Sequence, residues 1–401
     1  MEYRTMKHGE TPSLLGFGCM RFPTLADGSI DEEKAEALLD HAIENGVTYI
    51  DTAYPYHNQM SEPFVGKVLK KYKRDAYYLA TKLPLWDVKT LDDVKEMFQK
   101  QLDRLDQSYV DFYLLHAMDK EKWELVKRLG IIPYLEQEQQ AGRIRNLGFS
   151  FHDEYEVFEE ILTARDWDFC QIQLNYMDVE HQQGIRGYYL AQERGVPIVI
   201  MEPNKGGALA NLPADIESIF RAYDPDASMA SWAFRWIASL SNVKVVLSGM
   251  TTMAQVVDNL SVFHAFKPLN HRESILVEEA AKAIRAVLPE NVQGEKLTGH
   301  GGLFKTPGVG QRLLAGALGV PVAVMETAGE GGPWGMALLA AYRKDREAGE
   351  SLADYLEKRV FAAAAGTCVG PEPEDRAGFQ TVIARYTAGL AVETAAAAAL
   401  A

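Results

Sequence analysis

The chain has 401 residues, 47% hydrophobic and 24% charged, which suits one large or two ordinary globular domains and excludes a disordered polymer. A formal charge of −15 argues against nucleic acid and anionic membrane surfaces as partners, since both are bound through clustered cations. Cys19, Cys170 and Cys368 lie too far apart for a disulfide scaffold or a local metal knuckle, so no metal site is expected. Met1–Glu10 is polar and mixed in charge, unlike a secretory leader, and no run reaches the roughly 18 apolar residues of a membrane span. The expectation is a cytoplasmic protein that uses neither membrane nor nucleic acid; its oligomeric state stays open.

From Ser13 to about Ser261, short apolar runs alternate with segments of helical period. The runs are Ser13–Met20, Tyr49–Asp51, Ala76–Lys82, Asp111–His116, Asn146–Ser150, Phe169–Asn175, Pro197–Glu202 and Lys244–Ser248. They show little polar alternation, as strands buried on both faces do. Between the first two, Ala35, Leu38, Leu39, Ala42 and Ile43 share one helical face, after an N-cap at Asp31 and before Gly46. Leu91, Val94, Phe98, Leu102 and Leu105 repeat the pattern, and Thr90 with Asp93 makes a capping box with Asp in place of Glu. Parallel strands joined by crossover helices follow, and the fold class is α/β. Eight such units match a closed (β/α)₈ TIM barrel, with a doubly wound open sheet as the competing architecture.

The polar residues favour the barrel. Seven runs finish on a polar side chain: Asp51, Lys82, His116, Ser150, Asn175, Glu202 and Ser248. In a barrel these converge on the C-terminal rim, where such enzymes place their chemistry. Asp51, Tyr56, Lys82 and His116 are the catalytic candidates. A free phenol ionises near pH 10, too high for ready proton exchange at neutral pH. An ammonium beside it favours phenolate, so Lys82 is expected to lower the value for Tyr56 while Asp51 holds Lys82. Tyr56 is then expected to be able to protonate a carbonyl oxygen as hydride arrives at carbon, and His116 to hydrogen-bond the same oxygen. Singly each residue has a structural explanation, as a packed ring, a rim ion pair or a core histidine; together on successive strand ends they read as a site.

Residues 1–287 resemble an aldo/keto reductase, in the bacterial branch that often carries an iron–sulfur tail. The resemblance rests on Leu15-Gly16-Phe17-Gly18-Cys19-Met20-Arg21, Asp51-Thr52-Ala53-Tyr54-Pro55-Tyr56, Ala80-Thr81-Lys82, Asp111-Phe112-Tyr113-Leu114-Leu115-His116, Gly148-Phe149-Ser150-Phe151-His152, Gln171-Ile172-Gln173-Leu174-Asn175-Tyr176, Met201-Glu202-Pro203 and Val246-Leu247-Ser248-Gly249-Met250. It implies reduction of a small-molecule aldehyde or ketone with NADP or NAD as cofactor, and an Asp–Tyr–Lys–His tetrad at Asp51, Tyr56, Lys82 and His116. It further implies carboxamide contacts at Ser150 and Gln171, and an adenine contact at Asn259. Met201, Pro203, Lys205, Ser248, Gly249, Met250, Thr251 and Gln255 fall along the rest of the dinucleotide, Lys205 toward its pyrophosphate. Four positions depart from the family pattern: Phe151 replaces an Asn, Met201 an aromatic ring, and Gly249 and Gln255 the basic residues that grip a 2′-phosphate.

Near residue 288 the texture changes to glycine clusters and Ala-rich helical stretches, and a domain boundary is placed there. Only Cys368 follows it, and one thiol cannot hold an iron–sulfur cluster, so none is expected. Residues from about 290 to 401 resemble the C-terminal end of an FGGY carbohydrate kinase, on Gly299-His300-Gly301-Gly302-Leu303-Phe304-Lys305-Thr306-Pro307-Gly308-Val309-Gly310-Gln311 and Met325-Glu326-Thr327-Ala328-Gly329-Glu330-Gly331-Gly332-Pro333-Trp334-Gly335. In such kinases this part belongs to the ATP-binding lobe, which would put Gly301, Gly302, Gly331 and Gly332 near phosphates. The sugar-binding lobe and its catalytic aspartate are missing, so kinase activity is not expected. The expected function is NAD(P)H-dependent carbonyl reduction; the alternative is a nucleotide-binding or regulatory protein whose barrel holds cofactor with little turnover and whose tail binds ATP or a partner.

Overall fold

Eight parallel strands close into a barrel in the order β1 to β8: Leu15–Gly18, Tyr49–Asp51, Tyr78–Leu83, Val110–Met118, Ile144–Phe151, Phe169–Gln173, Ile198–Met201 and Val243–Ser248. The computed structural model describes residues 1–285 and, beyond them, 297–299, 308–318, 321–325, 338–339, 341–347, 350–360, 366–379, 381–382 and 385. The chain divides into two compact units, Met1–Val287 and Leu288–Ala401.

Closure is sealed where β1 pairs with β8, Leu15 against Val246 and Phe17 against Ser248. Tyr49, Phe112, Leu114, Phe169, Val199 and Val245 fill the barrel interior with Met6. A larger apolar layer, including Phe98, Leu105, Tyr113, Phe149 and Trp167, lies between strands and helices. Burial on both faces is why the strands read as apolar runs without alternation. Glycine solves one crowding problem: a Cβ at Gly148 would stand 2.6 Å from the Phe169 ring.

The helix Glu32–Glu44 starts at Asp31, whose side chain accepts the Lys34 N–H, and Gly46 follows it with φ +90°. The helix Leu91–Leu105 starts at the capping box of Thr90 and Asp93. Among the described residues no helix is long and apolar enough to cross a membrane.

In the second unit, Val322–Met325 pairs parallel with Leu297–Gly299 and antiparallel with Gly366–Val369. Gln311, on the helix Val309–Leu318, donates its amide to the carbonyls of Val322 and Thr367 at 3.1 and 2.8 Å, tying that helix to two strands. Cys368 is exposed. The four glycines proposed to approach phosphates, Gly301, Gly302, Gly331 and Gly332, lie outside the described residues.

Candidate active site

Asp51 ends β2 and Lys82 stands near the end of β3, so neighbouring strands bring them together on the rim. The Lys82 ammonium is buried and donates to Asp51 Oδ1 at 2.7 Å, to the Thr52 carbonyl at 2.8 Å and to the Tyr56 hydroxyl at 3.4 Å. Three hydrogens meet three acceptors, which is what a buried ammonium requires. Burial alone would favour the neutral amine, but the Asp51 carboxylate and the Tyr56 hydroxyl more than offset it, and the Lys82 pKa sits above its ordinary value.

Tyr56 departs from expectation. Lys82 does pull its pKa down, but burial pushes it up by more, and the phenol ends above its ordinary value of about 10. The ring is therefore a neutral donor at neutral pH. His116 stands beside it, ring centroids 6.2 Å apart and edge-on, with Trp86 on its other side at 5.0 Å. Burial, reinforced by Lys82, His152 and Lys122, holds His116 well below the ordinary histidine value, and its Nδ1 is buried without a partner.

Backbone strain gathers at these residues. His57, Asn58 and Gln59, directly after Tyr56, all have left-handed φ of 50°, 52° and 69°; Ala117, after His116, has 52°, and Glu202, past β7, has 57°. None is glycine, and each such residue costs about 1–3 kcal/mol that its surroundings must offset. At Ala117 a register shift in β4 bulges the strand, and the freed N–H donates to Ser150 Oγ at 2.7 Å. The turn after Tyr56 is anchored because His57 Nε2 accepts the Phe22 N–H at 3.2 Å and Ser61 Oγ donates to the Cys19 carbonyl at 3.2 Å.

A cavity of about 840 Å³ opens at this rim and is lined by Asp51, Tyr56 and His116 together with Ser150, Gln171, Met201, Pro203, Ser248, Gly249, Thr251, Gln255 and Asn259. Ser150 Oγ, already an acceptor, keeps its own hydrogen to donate. Gln171 Nε2 leans on the Met201 sulfur at 3.6 Å, while its Oε1 is buried with no partner. Asn259 donates to Ser248 Oγ at 3.0 Å. Gln255 Oε1 caps the helix Met253–His264 through the Thr251 and Thr252 N–H groups. Two predicted residues fall elsewhere. Met250 packs wholly within the apolar core, and Lys205 pairs with Asp178 at 2.5 Å instead of reaching into the cavity.

Sequence reading missed Arg21, the one Lys or Arg among the described residues that line this cavity. Its stem crosses Gly249: a Cβ there would stand 2.7 Å from Arg21 Cγ, and one at Gly206 would stand 3.9 Å from Nη2. The only sequence signal was its place three residues past the end of β1. A cavity lined by Gln171, whose amide oxygen has no partner, and by Arg21 fits a nicotinamide dinucleotide, which carries a carboxamide and phosphates.

Residues 250–343 match the C-terminal domain model of the FGGY family of carbohydrate kinases, a range that begins just past the barrel's last strand and ends short of residue 401. The oxidoreductase YqkF of Bacillus subtilis is 25% identical over 311 residues, spanning 70% of this chain and 94% of that protein. An aldo-keto reductase from Bacillus halodurans, solved in its holo form, superposes with a TM-score of 0.61 at 26% identity, covering 73% of this chain and 99% of that one. The fold is shared with an aldo/keto reductase from Klebsiella pneumoniae solved with NADP and acetate, at 19% identity and a TM-score of 0.58 over 70% of this chain and 95% of that one. The family model for aldo/keto reductases covers residues 14–282, and the chain is an oxidoreductase belonging to the aldo/keto reductase family.

Proposed function

We propose that the barrel reduces an aldehyde or ketone to the alcohol, with NADPH or NADH as hydride donor and Tyr56 as proton donor. The observation that carries this reading is the Lys82–Tyr56 contact at 3.4 Å, beside a cavity that Tyr56 and Gln171 both line. When bound, the dinucleotide supplies hydride to the carbonyl carbon. Tyr56 gives its phenolic proton to the carbonyl oxygen, whose bond to carbon becomes single. The phenolate left behind faces the Lys82 ammonium, which stabilises it where charge develops, and solvent returns the proton. His116, neutral, hydrogen-bonds the carbonyl oxygen and orients it without competing as an acid. Ser150 and Gln171 hold the carboxamide so that one ring face meets the substrate. With Lys205 paired to Asp178, Arg21 is the cation left among the described lining residues to meet the phosphates.

Oxidation of NADPH and NADH measured against a panel of small aldehydes and ketones tests the reading. Turnover with at least one carbonyl supports it; dinucleotide binding without turnover across the panel supports a cofactor-holding role instead. Phosphoryl transfer is not proposed, because it needs groups converging from two lobes and the kinase model matched over residues 250–343 is that of the C-terminal domain; ADP release from ATP with a sugar acceptor would overturn that.

A further inference from the structure

Behind the cavity wall lies a buried charge pair to which the reaction above assigns no part. Glu62 is fully buried in the first turn of the helix Ser61–Leu69, six residues after Tyr56. Its Oε2 accepts from Arg104 Nε at 2.9 Å, and its Oε1 accepts from Thr81 Oγ1 and Gln101 Nε2, both at 2.8 Å. Gln101 Nε2 also donates to the Lys82 carbonyl at 2.9 Å, and Tyr113 OH donates to Gln101 Oε1 at 2.7 Å. Arg104 reaches the other side of the same loop, its guanidinium 5.1 Å over the ring of Tyr54, whose hydroxyl accepts from Lys100 at 2.7 Å.

We infer that Glu62, together with Arg104, is a positioning device for the proton donor: it clamps the loop carrying Tyr56 on both sides of that residue and ties it to the strand carrying Lys82. The three left-handed residues His57, Asn58 and Gln59 make such a clamp necessary. A turn strained at three successive positions relaxes unless both of its ends are held, and relaxation moves the Tyr56 hydroxyl away from Lys82. The geometry leaves little slack, since a Cβ at Gly66 would stand 2.5 Å from the Leu105 carbonyl and the two helices are in direct backbone contact. Glu62 touches no cavity-lining atom of the reaction; it acts through Thr81 and Gln101. Positional errors of about 1 Å at a reacting group cost up to ~10²-fold in rate.

The inference rests on the reductase reading, and its test separates the two. Glu62→Gln keeps the shape but presents an N–H to Arg104, and Gln101→Met deletes the link to Lys82. Asp168→Asn serves as a control, because Asp168 holds a comparable buried network with His8, Gln139 and the Leu147 N–H at the opposite end of the barrel. For each full-length protein, dinucleotide affinity and the number of binding sites are measured by fluorescence titration, and kcat is expressed per binding site. The clamp predicts that Glu62→Gln and Gln101→Met bind dinucleotide within about twofold of wild type while kcat per site falls about tenfold or more, with the control unchanged in both. Variants whose kcat per site stays within about twofold of wild type overturn the inference, as does an equal fall in the control. Wild-type protein that turns over no carbonyl removes the reductase reading and this inference with it.

Discussion

Lys82 donates to the Tyr56 hydroxyl at 3.4 Å from a site in which its other two hydrogens are taken by Asp51 and the Thr52 carbonyl. The ammonium is thus locked in place and cannot swing toward water. Its position next to the phenol matters less before proton transfer than after it. Burial keeps Tyr56 protonated, and in the proposed reaction the ammonium would stabilise the phenolate that forms.

This division of labour sets the pH dependence. In the proposed reaction Tyr56 acts in its protonated form, so reduction is expected to be fully active below its pKa and to decline as pH rises through it. That pKa is raised above the ordinary 10 or so, chiefly by burial. His116, held well below its ordinary value, adds no acidic limb near pH 6.5. The rate of carbonyl reduction at saturating substrates is expected to stay level from about pH 6 to 9. A basic limb centred near pH 8, or an acidic one near 6.5, would contradict this assignment.

The Asp51–Lys82 pair is almost wholly buried. Lys82→Met leaves a carboxylate in an apolar setting, and removal of one partner from a buried pair typically costs about 3–5 kcal/mol. Denaturant unfolding of the barrel, followed by its own transition, measures the loss. Adding Asp51→Asn to Lys82→Met should recover part of it; a double variant no more stable than the single one contradicts the pairing argument.

Arg21 is expected to serve the phosphates shared by both dinucleotides. Arg21→Ala should weaken NADPH and NADH alike by about 10- to 100-fold, in line with roughly 1.5–3 kcal/mol for a charge-assisted hydrogen bond. Gly249→Ala, which drives a methyl into the Arg21 stem, should weaken both in the same direction. Fluorescence titration of each variant with both dinucleotides decides it, and unchanged affinity in Arg21→Ala rules the role out.

Much of the barrel was legible because its strands are buried on both faces and its helices are punctuated by side chains with local effects. Thr90 and Asp93 cap their helix through contacts within four residues, and Gly46 takes a φ that other residues avoid. Strand ends were less legible. β4 runs on past His116 to Met118 through a bulge at Ala117, and nothing in an alanine announces a positive φ. The left-handed turn at His57–Gln59 is anchored by a contact from Phe22, 35 residues away, that no local pattern encodes. Charges were visible but their surroundings were not. The upward shift of Tyr56 comes from burial, and Lys205 is occupied by Asp178, 27 residues earlier in the chain. Arg21 escaped notice because its place at the cavity depends on two glycines, Gly206 and Gly249, that only the closed barrel brings to it.

The central claim is that the Tyr56 proton completes the reduction. Tyr56→Phe removes one oxygen and leaves the ring against His116, so single-turnover reduction of a carbonyl by the preformed dinucleotide complex tests it most directly. The account predicts a rate at least about 10²-fold below wild type, with dinucleotide affinity within about twofold, in keeping with general-acid contributions of 10²–10⁴. A Tyr56→Phe protein that reduces the same carbonyl at the wild-type rate would contradict it.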